Sequence, residues 1–208
     1  TNPTSGALQV AGGVGISKHL YVGEDVHITG NLLLLDVGEN VYIGTTNSST
    51  TGTNNTSLGV NSLATNTTGS WNTGIGWYAL YANEGTNNTA VGNSSSYNTT
   101  GSQNTALGSG SLVNNITGGN NTTVGMNSLG GVTGGSNNTA IGYGAYSSGN
   151  WSYSTAIGHD SNVTGDHQVV LGTSAEHVII PSTTESTSET TGALQVAGGV
   201  GISKHLYV

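Results

Sequence analysis

Histidine, carboxylate and serine side chains are where catalysis or metal binding would have to begin in this 208-residue sequence. The six histidines, His19, His27, His159, His167, His177 and His205, stand singly, with no H-x-H or other tight ligand spacing. No metal site is therefore expected from the sequence, and only a threefold axis could gather three copies of one histidine. Glu24, Asp25, Asp36, Glu39, Glu185 and Glu189 fall towards the ends, while Glu84, Asp160, Asp166 and Glu176 are spaced along the middle. None forms the close acid pair that glycoside hydrolysis needs. Serine is abundant, but there is neither G-x-S-x-G nor a P-loop, and Lys18 and Lys204 each follow a serine where a P-loop would have glycine. The stretch "GGVGIS", Gly12 to Ser17, touches the calcium-binding G-G-x-G-x-D pattern but carries Ser17 in place of the aspartate. The expectation is a protein that is not an enzyme, with no catalytic residue, cofactor or metal.

Aromatic side chains offer a second kind of chemistry. Trp71, Trp77, Tyr78, Tyr81, Tyr97, Tyr143, Tyr146, Trp151 and Tyr153 gather in the middle of the chain. Rings can stack on sugars while their polar edges stay wet. Trp71, Trp77, Tyr78, Trp151 and Tyr153 are the candidate glycan contacts on that reading. The plainer reading is preferred: Tyr146 lines an interior at the position of Leu63 and Leu80, and the tryptophans cover gaps between protomers.

The elements that would position these residues follow from a repeat. The phrase "NNTSLG", Asn54 to Gly59, returns as "WNTGIG", "NNTAVG", "QNTALG", "NNTTVG", "NNTAIG", "YSTAIG" and finally a degenerate "HQVVLG", His167 to Gly172. The closing glycines are Gly59, Gly76, Gly92, Gly108, Gly125, Gly142, Gly158 and Gly172, a nearly even step that shortens only at the last copy. Such regularity is the signature of stacked coils. Within each coil, Thr and the aliphatic residue two places on share one side of a strand. That side is expected to line the interior, which makes Leu58, Ile75, Val91, Leu107, Val124, Ile141, Ile157 and Leu171 a buried structural ladder. Glycine should turn the corner, asparagine should ladder with its copies above and below, and a second short strand should follow around Ser62–Leu63, Ala79–Leu80 and Ala145–Tyr146.

With 35 glycines, no Phe, no Cys and 6% aromatic residues the chain cannot bury a conventional mixed core, whereas thinly lined stacked repeats fit this composition. A formal charge of −8 with only two lysines leaves no surface to neutralise phosphates, so nucleic acid is not expected as a partner. The longest strictly apolar run, Leu32 to Leu35, is far too short to span a membrane, and no membrane insertion is expected. The absence of cysteine leaves the redox compartment open. Asparagine glycosylation sequons, among them Asn47, Asn66, Asn98, Asn115, Asn150 and Asn162, arise automatically from a repeat rich in N-N-T, and corner sites such as Asn66 and Asn98 should be accessible.

A larger repetition frames the coils: "GALQVAGGVGISKHLYV" occurs at Gly6 to Val22 and again, letter for letter, at Gly192 to Val208. The sequence therefore divides into a β shaft segment over 1–45, β-roll repeats of about 16 residues over 46–180, and a Ser/Thr-rich connector over 181–208 in which the next tandem shaft begins. It reads as one segment of a longer fibre.

The phrase "NTAIGYGA" resembles the head repeat of trimeric autotransporter adhesins over about residues 54 to 172, and the shaft phrase "GALQVAGGVGISKHLYVGEDVHITGNL" is similar to segments of phage and large-virus tail fibres. The adhesin repeat is usually shorter, and Thr here replaces its first aliphatic residue. The resemblance implies a left-handed parallel β-roll in a homotrimer whose neighbours cover one flank of each roll. The expected fold is all-β, a repetitive parallel β-roll or β-solenoid with short shaft segments in an intertwined homotrimeric fibre. The expected function is a rigid trimeric spacer of a virion, as a tail or surface fibre, mediating attachment to a host. Its expected partners are itself and cell-surface glycans, and its location extracellular. The alternatives are a bacterial surface trimeric adhesin or extracellular filament and, further off, an ice-binding solenoid, which is disfavoured because Thr56, Thr89, Thr139 and their equivalents should point inward.

Overall fold

The computed structural model describes residues 41–43, 51–146, 149–181, 187 and 194–202. All of these lie in Asp36–Val208, one of the two units into which the chain divides. The expected shaft, apart from 41–43, and most of the connector fall outside the described residues.

The described residues contain no helix. Their strands are β1 (Val41–Ile43), β2 (Thr56–Leu58), β3 (Thr73–Ile75), β4 (Ala82–Asn83), β5 (Thr89–Val91), β6 (Asn98–Thr99), β7 (Thr105–Leu107), β8 (Thr122–Val124), β9 (Thr139–Ile141), β10 (Thr155–Ile157) and β11 (Val169–Leu171). Each three-residue strand from β2 on is the heart of one repeat phrase. Nine of the strands form one parallel sheet in the order β1-β2-β3-β5-β7-β8-β9-β10-β11, making a β-solenoid of about seven turns. Register is one-to-one, as in Thr89↔Thr105, Ala90↔Ala106 and Val91↔Leu107. At roughly 4.8 Å per strand, nine strands run about 38 Å along the stack. The second strand of the coil is rarer than expected. Among the described residues it exists only as the β4–β6 pair, and Ser62–Leu63, Ala79–Leu80 and Ala145–Tyr146 are buried turn residues.

The glycine corner is where the sequence expects it. Gly92 has φ +136°, and a Cβ there would lie 2.7 Å from the carbonyl carbon and oxygen of Gly108 in the next coil. The recurrent glycine is thus imposed twice, by a backbone angle that L residues rarely adopt and by coil-to-coil approach. Leu63, Leu80, Leu112 and Leu129 also hold φ between 51° and 56°. Such angles cost bulky residues on the order of 1 kcal/mol each. Backbone bonds to the next coil hold them, including Leu80 N to Ser95 O at 3.0 Å and Leu112 N to Ser128 O at 2.9 Å.

The strand face that points inward is the opposite of the one expected. Ser57, Gly74, Ala90, Ala106, Thr123, Ala140 and Ala156, the middle residues, are buried, whereas Thr and the aliphatic residue on either side face out. Leu58, Val91, Leu107, Val124, Ile141, Ile157 and Leu171 are 36–48% exposed and Ile75 is half-buried. The reason is width. The interior is already filled from the opposite wall by Leu63, Leu80, Leu112, Leu129 and Tyr146, all at most 1% exposed. At Gly74 even a methyl would sit 2.5 Å from Ser62 Oγ and 3.5 Å from Leu63 Cγ. Only the smallest side chains fit opposite that wall.

Polar groups complete the interior. The asparagine at the second position of the first six phrases forms a buried ladder: Asn55, Asn72, Asn88, Asn104, Asn121 and Asn138. Each side-chain Oδ1 accepts the main-chain N–H of the next rung at 2.9–3.0 Å. Each Nδ2 donates to a carbonyl of the next coil, from Asn55 to Gly69 O at 2.8 Å through Asn138 to Trp151 O at 2.9 Å. Buried amides satisfied on both ends cohere the coils without a wide apolar core. Asn66, a corner sequon expected to be accessible, and Asn115 are instead buried, donating to glycine carbonyls at 2.9 and 2.7 Å. Asn98 is half-buried in β6.

Candidate functional site

The turned strand face creates the first surface of interest. Two columns run side by side along it: Thr56, Thr73, Thr89, Thr105, Thr122, Thr139 and Thr155, and the aliphatic ladder from Leu58 to Leu171. Charged residues are absent from both columns. The face is regular because a parallel stack repeats each position once per coil.

A second surface lies round the glycine corner. The residue after each closing glycine points out, and here Val60, Trp77, Met126 and Tyr143 are each 46–54% exposed. The indole of Trp77 meets the ring of Tyr78 edge-on, with centroids 4.6 Å apart. Tyr78 in turn leans on Tyr81 and Tyr97, at 4.9 and 5.6 Å, and Tyr81 stacks on Tyr97 at 4.9 Å and 15°. Consecutive coils bring these four rings together: Ser94 N bonds Trp77 O, and Ala82 N bonds Tyr97 O, both at 2.8 Å. The next position in the Tyr81–Tyr97 column is Val113, whose carbonyl accepts Asn98 N at 3.2 Å. From there the side chains shrink, and Val113, Asn127, Gly130, Gly131, Tyr143, Gly144 and Asp160 line an open groove of about 320 Å³.

The candidate glycan contacts therefore separate. Trp77 and Tyr78 belong to the ring cluster. Trp71 and Tyr153 stand on another corner column, at the first residue of the phrase, where Tyr153 stacks on His167 at 5.0 Å. Trp151 is placed apart again, its carbonyl accepting Asn138 Nδ2 and, at 2.6 Å, the Tyr146 hydroxyl. Tyr146 is fully buried as lining, and burial together with the nearby Asp166 charge pushes its hydroxyl up to about 12. Tyr81 and Tyr97 complete the cluster, and the repeat carries the signal for them: they stand one coil step apart in the chain and so occupy one column.

The titratable groups of the coils serve their own turns. Glu84 accepts from Thr67 Oγ1 and Thr68 Oγ1 at 2.7 and 2.6 Å and from both amides at 3.3 and 2.9 Å. Partial burial would raise its carboxyl, but these bonds outweigh it and hold Glu84 below the ordinary carboxylate value. Asp166 accepts Ser152 N at 2.6 Å, and Glu176 caps Thr173 through both its amide and its hydroxyl. Those hydroxyl and amide bonds hold the Glu176 carboxyl low. His159 stacks on Tyr143 at 5.2 Å and places Nδ1 3.4 Å from Asp160, both on the surface. Among the described residues no three His, Cys, Asp or Glu side chains are grouped to hold a metal ion, and no helix is long and apolar enough to cross a membrane.

No family model matches the chain, and no curated protein or solved structure matches it either.

Proposed function

We propose that this chain is a segment of a structural and adhesive fibre, a rigid homotrimeric spacer on the outside of a virion, as a tail or surface fibre, that carries attachment to a host surface. The observation that carries this reading is the aliphatic ladder. The eight repeat phrases each present one aliphatic residue on an uncharged sheet face, seven of them 36–48% exposed. A continuous apolar stripe of this length is the kind of surface a partner covers. Copies of the same chain are the natural cover, because an identical coil repeat matches the spacing of the ladder rung for rung. Covering each half-exposed aliphatic side chain is worth about 1 kcal/mol, so the ladder as a whole competes with the cost of association, roughly 4–15 kcal/mol. Solution mass and negative-stain imaging test the proposal together. Trimeric rods are expected, and a folded monomer at micromolar concentration would overturn it.

One observation favours a second reading. The threonine ranks, expected to point inward, face out beside the aliphatic ladder with one Thr per coil in register. A flat, regular face of hydroxyls and methyl groups is what an ice-binding surface requires. Thermal hysteresis in a cooled droplet of the monomeric protein would favour ice binding over the fibre.

A further inference from the structure

We infer that the ring cluster Trp77–Tyr78–Tyr81–Tyr97 and the groove that continues it form a binding site for a neutral carbohydrate chain lying along the stack. The inference rests on the attachment role proposed above and supplies its chemical partner. The two halves of the site are contiguous. Val113 is the column neighbour of Tyr97 through the Asn98 N to Val113 O bond and is itself a wall of the groove. An oligosaccharide that leaves the rings therefore enters a groove of about 320 Å³, a volume within the range of small-ligand sites. Sugar rings present C–H faces to aromatic rings and hydroxyls to polar groups, and this site offers both in sequence. Trp77, 52% exposed, stands at one end beside three half-buried tyrosines. Asn127 and Asp160 stand at the other, both exposed, with an amide that donates and accepts and a carboxylate that only accepts.

Charge decides the class of sugar. Among the described residues no Lys or Arg is present, and the only ion that lines the groove is the Asp160 carboxylate. A sulfated, phosphorylated or carboxylated glycan would find no Lys or Arg to pair with and would meet Asp160, beside which His159 is the one basic group, whereas a neutral polyol can donate hydroxyls to the exposed carboxylate. The small side chains are equally specific in their placement. Gly130, at the repeat position of Tyr81 and Tyr97, and Gly144, at that of Tyr78, open the groove where those rings close it in earlier coils. An axial ligand is thus stacked first and cradled next.

Full-length protein titrated with neutral hexasaccharides of glucose, galactose, mannose and N-acetylglucosamine, read by tryptophan fluorescence and calorimetry, tests the site. At least one of the four is expected to bind saturably, with Trp77→Ala and Tyr97→Ala weakening it about tenfold or more. Asp160→Asn, which tolerates the same left-handed backbone (φ 50°), should weaken binding while leaving the fold intact. Trp71→Ala, on another corner column, should leave affinity unchanged. Absence of binding to all four sugars, equal binding by the Trp77→Ala and Asp160→Asn variants, or tighter binding of a sulfated hexasaccharide overturns the inference. Solution mass measured on the same samples keeps the two proposals apart: sugar binding lost with the trimer intact rejects the site alone, and sugar binding by a stable monomer rejects the assembly alone.

Discussion

Two adjacent residues of β9 separate folding from assembly. Ala140 is fully buried between Thr123 and Ala156 in the interior rank, whereas Ile141 beside it is 39% exposed on the outer face. An aspartate at 140 would place a carboxylate in an interior where even one extra methyl lacks room at the equivalent Gly74, with no Lys or Arg among the described residues to pair it. The cost is several kcal/mol and the coil should not close. At 141 the carboxylate reaches water in a single protomer. The loss is the buried part of one isoleucine plus reduced strand preference, about 2 kcal/mol. In an assembly the same carboxylate is desolvated against a facing aliphatic ladder, and association should weaken at least a hundredfold, about 2.7 kcal/mol. Circular dichroism and light scattering after gel filtration read the two effects. Ile141→Asp should give β-rich monomers with a modestly lowered Tm, and Ala140→Asp should give no folded protein. The reverse pattern, with Ala140→Asp folded and Ile141→Asp unfolded, would refute the inward placement of the middle residue. An Ile141→Asp trimer would refute the ladder as the contact.

Asn104→Ala removes the acceptor of Asn121 N and Nδ2 and the donor to Gly118 O, all buried, and should cost about 2–4 kcal/mol in urea unfolding; a loss below about 0.5 kcal/mol would show that the ladder is not cohesive. Ser96 occupies the column of Leu80 and Leu112 and its hydroxyl is buried without a partner, so Ser96→Ala should raise stability by about 1 kcal/mol, and a lower Tm would contradict this. Glu84 is held ionised by Thr67 and Thr68, so its folded value lies below its unfolded one. The stability it adds is present above the unfolded carboxylate range and is lost as pH falls through the depressed folded value. The Tm gap between wild type and Glu84→Gln should therefore be widest near neutrality and close on acidification, and a gap that grows at low pH would reverse the assignment.

Much of the coil was legible in the chain. The phrase from Asn54 to Gly59 and its copies placed β2, β3, β5 and β7 to β11, and the even spacing of the closing glycines implied parallel pairing in register. Gly92 and its equivalents were readable because only glycine meets both the backbone angle and the close approach to the next coil. The asparagine ladder was readable because an identical amide recurring at the strand spacing can bond only to its own copies or to nearby backbone. The ring pair Tyr81–Tyr97 was within reach of the same arithmetic, while the edge contact of Trp77 with Tyr78 was not, since it depends on how adjacent residues leave the corner.

What the sequence determined by itself was period, strand position and which residues share a face, because alternation along a strand and identity between coils are properties of the chain. It could not determine which face is the inside. Thr89 and Val91 lie on one side and Ala90 on the other under either choice, and hydrophobicity alone favours burying valine. The tertiary structure decided otherwise through volume. So short a coil leaves a narrow lumen, the wall formed by Leu63, Leu80, Leu112, Leu129 and Tyr146 fills it, and the strand opposite can contribute little beyond Gly, Ala, Ser or one Thr. The larger aliphatic residues are displaced to the outer face because close packing, which depends on both walls at once, outweighs the burial preference of any single side chain.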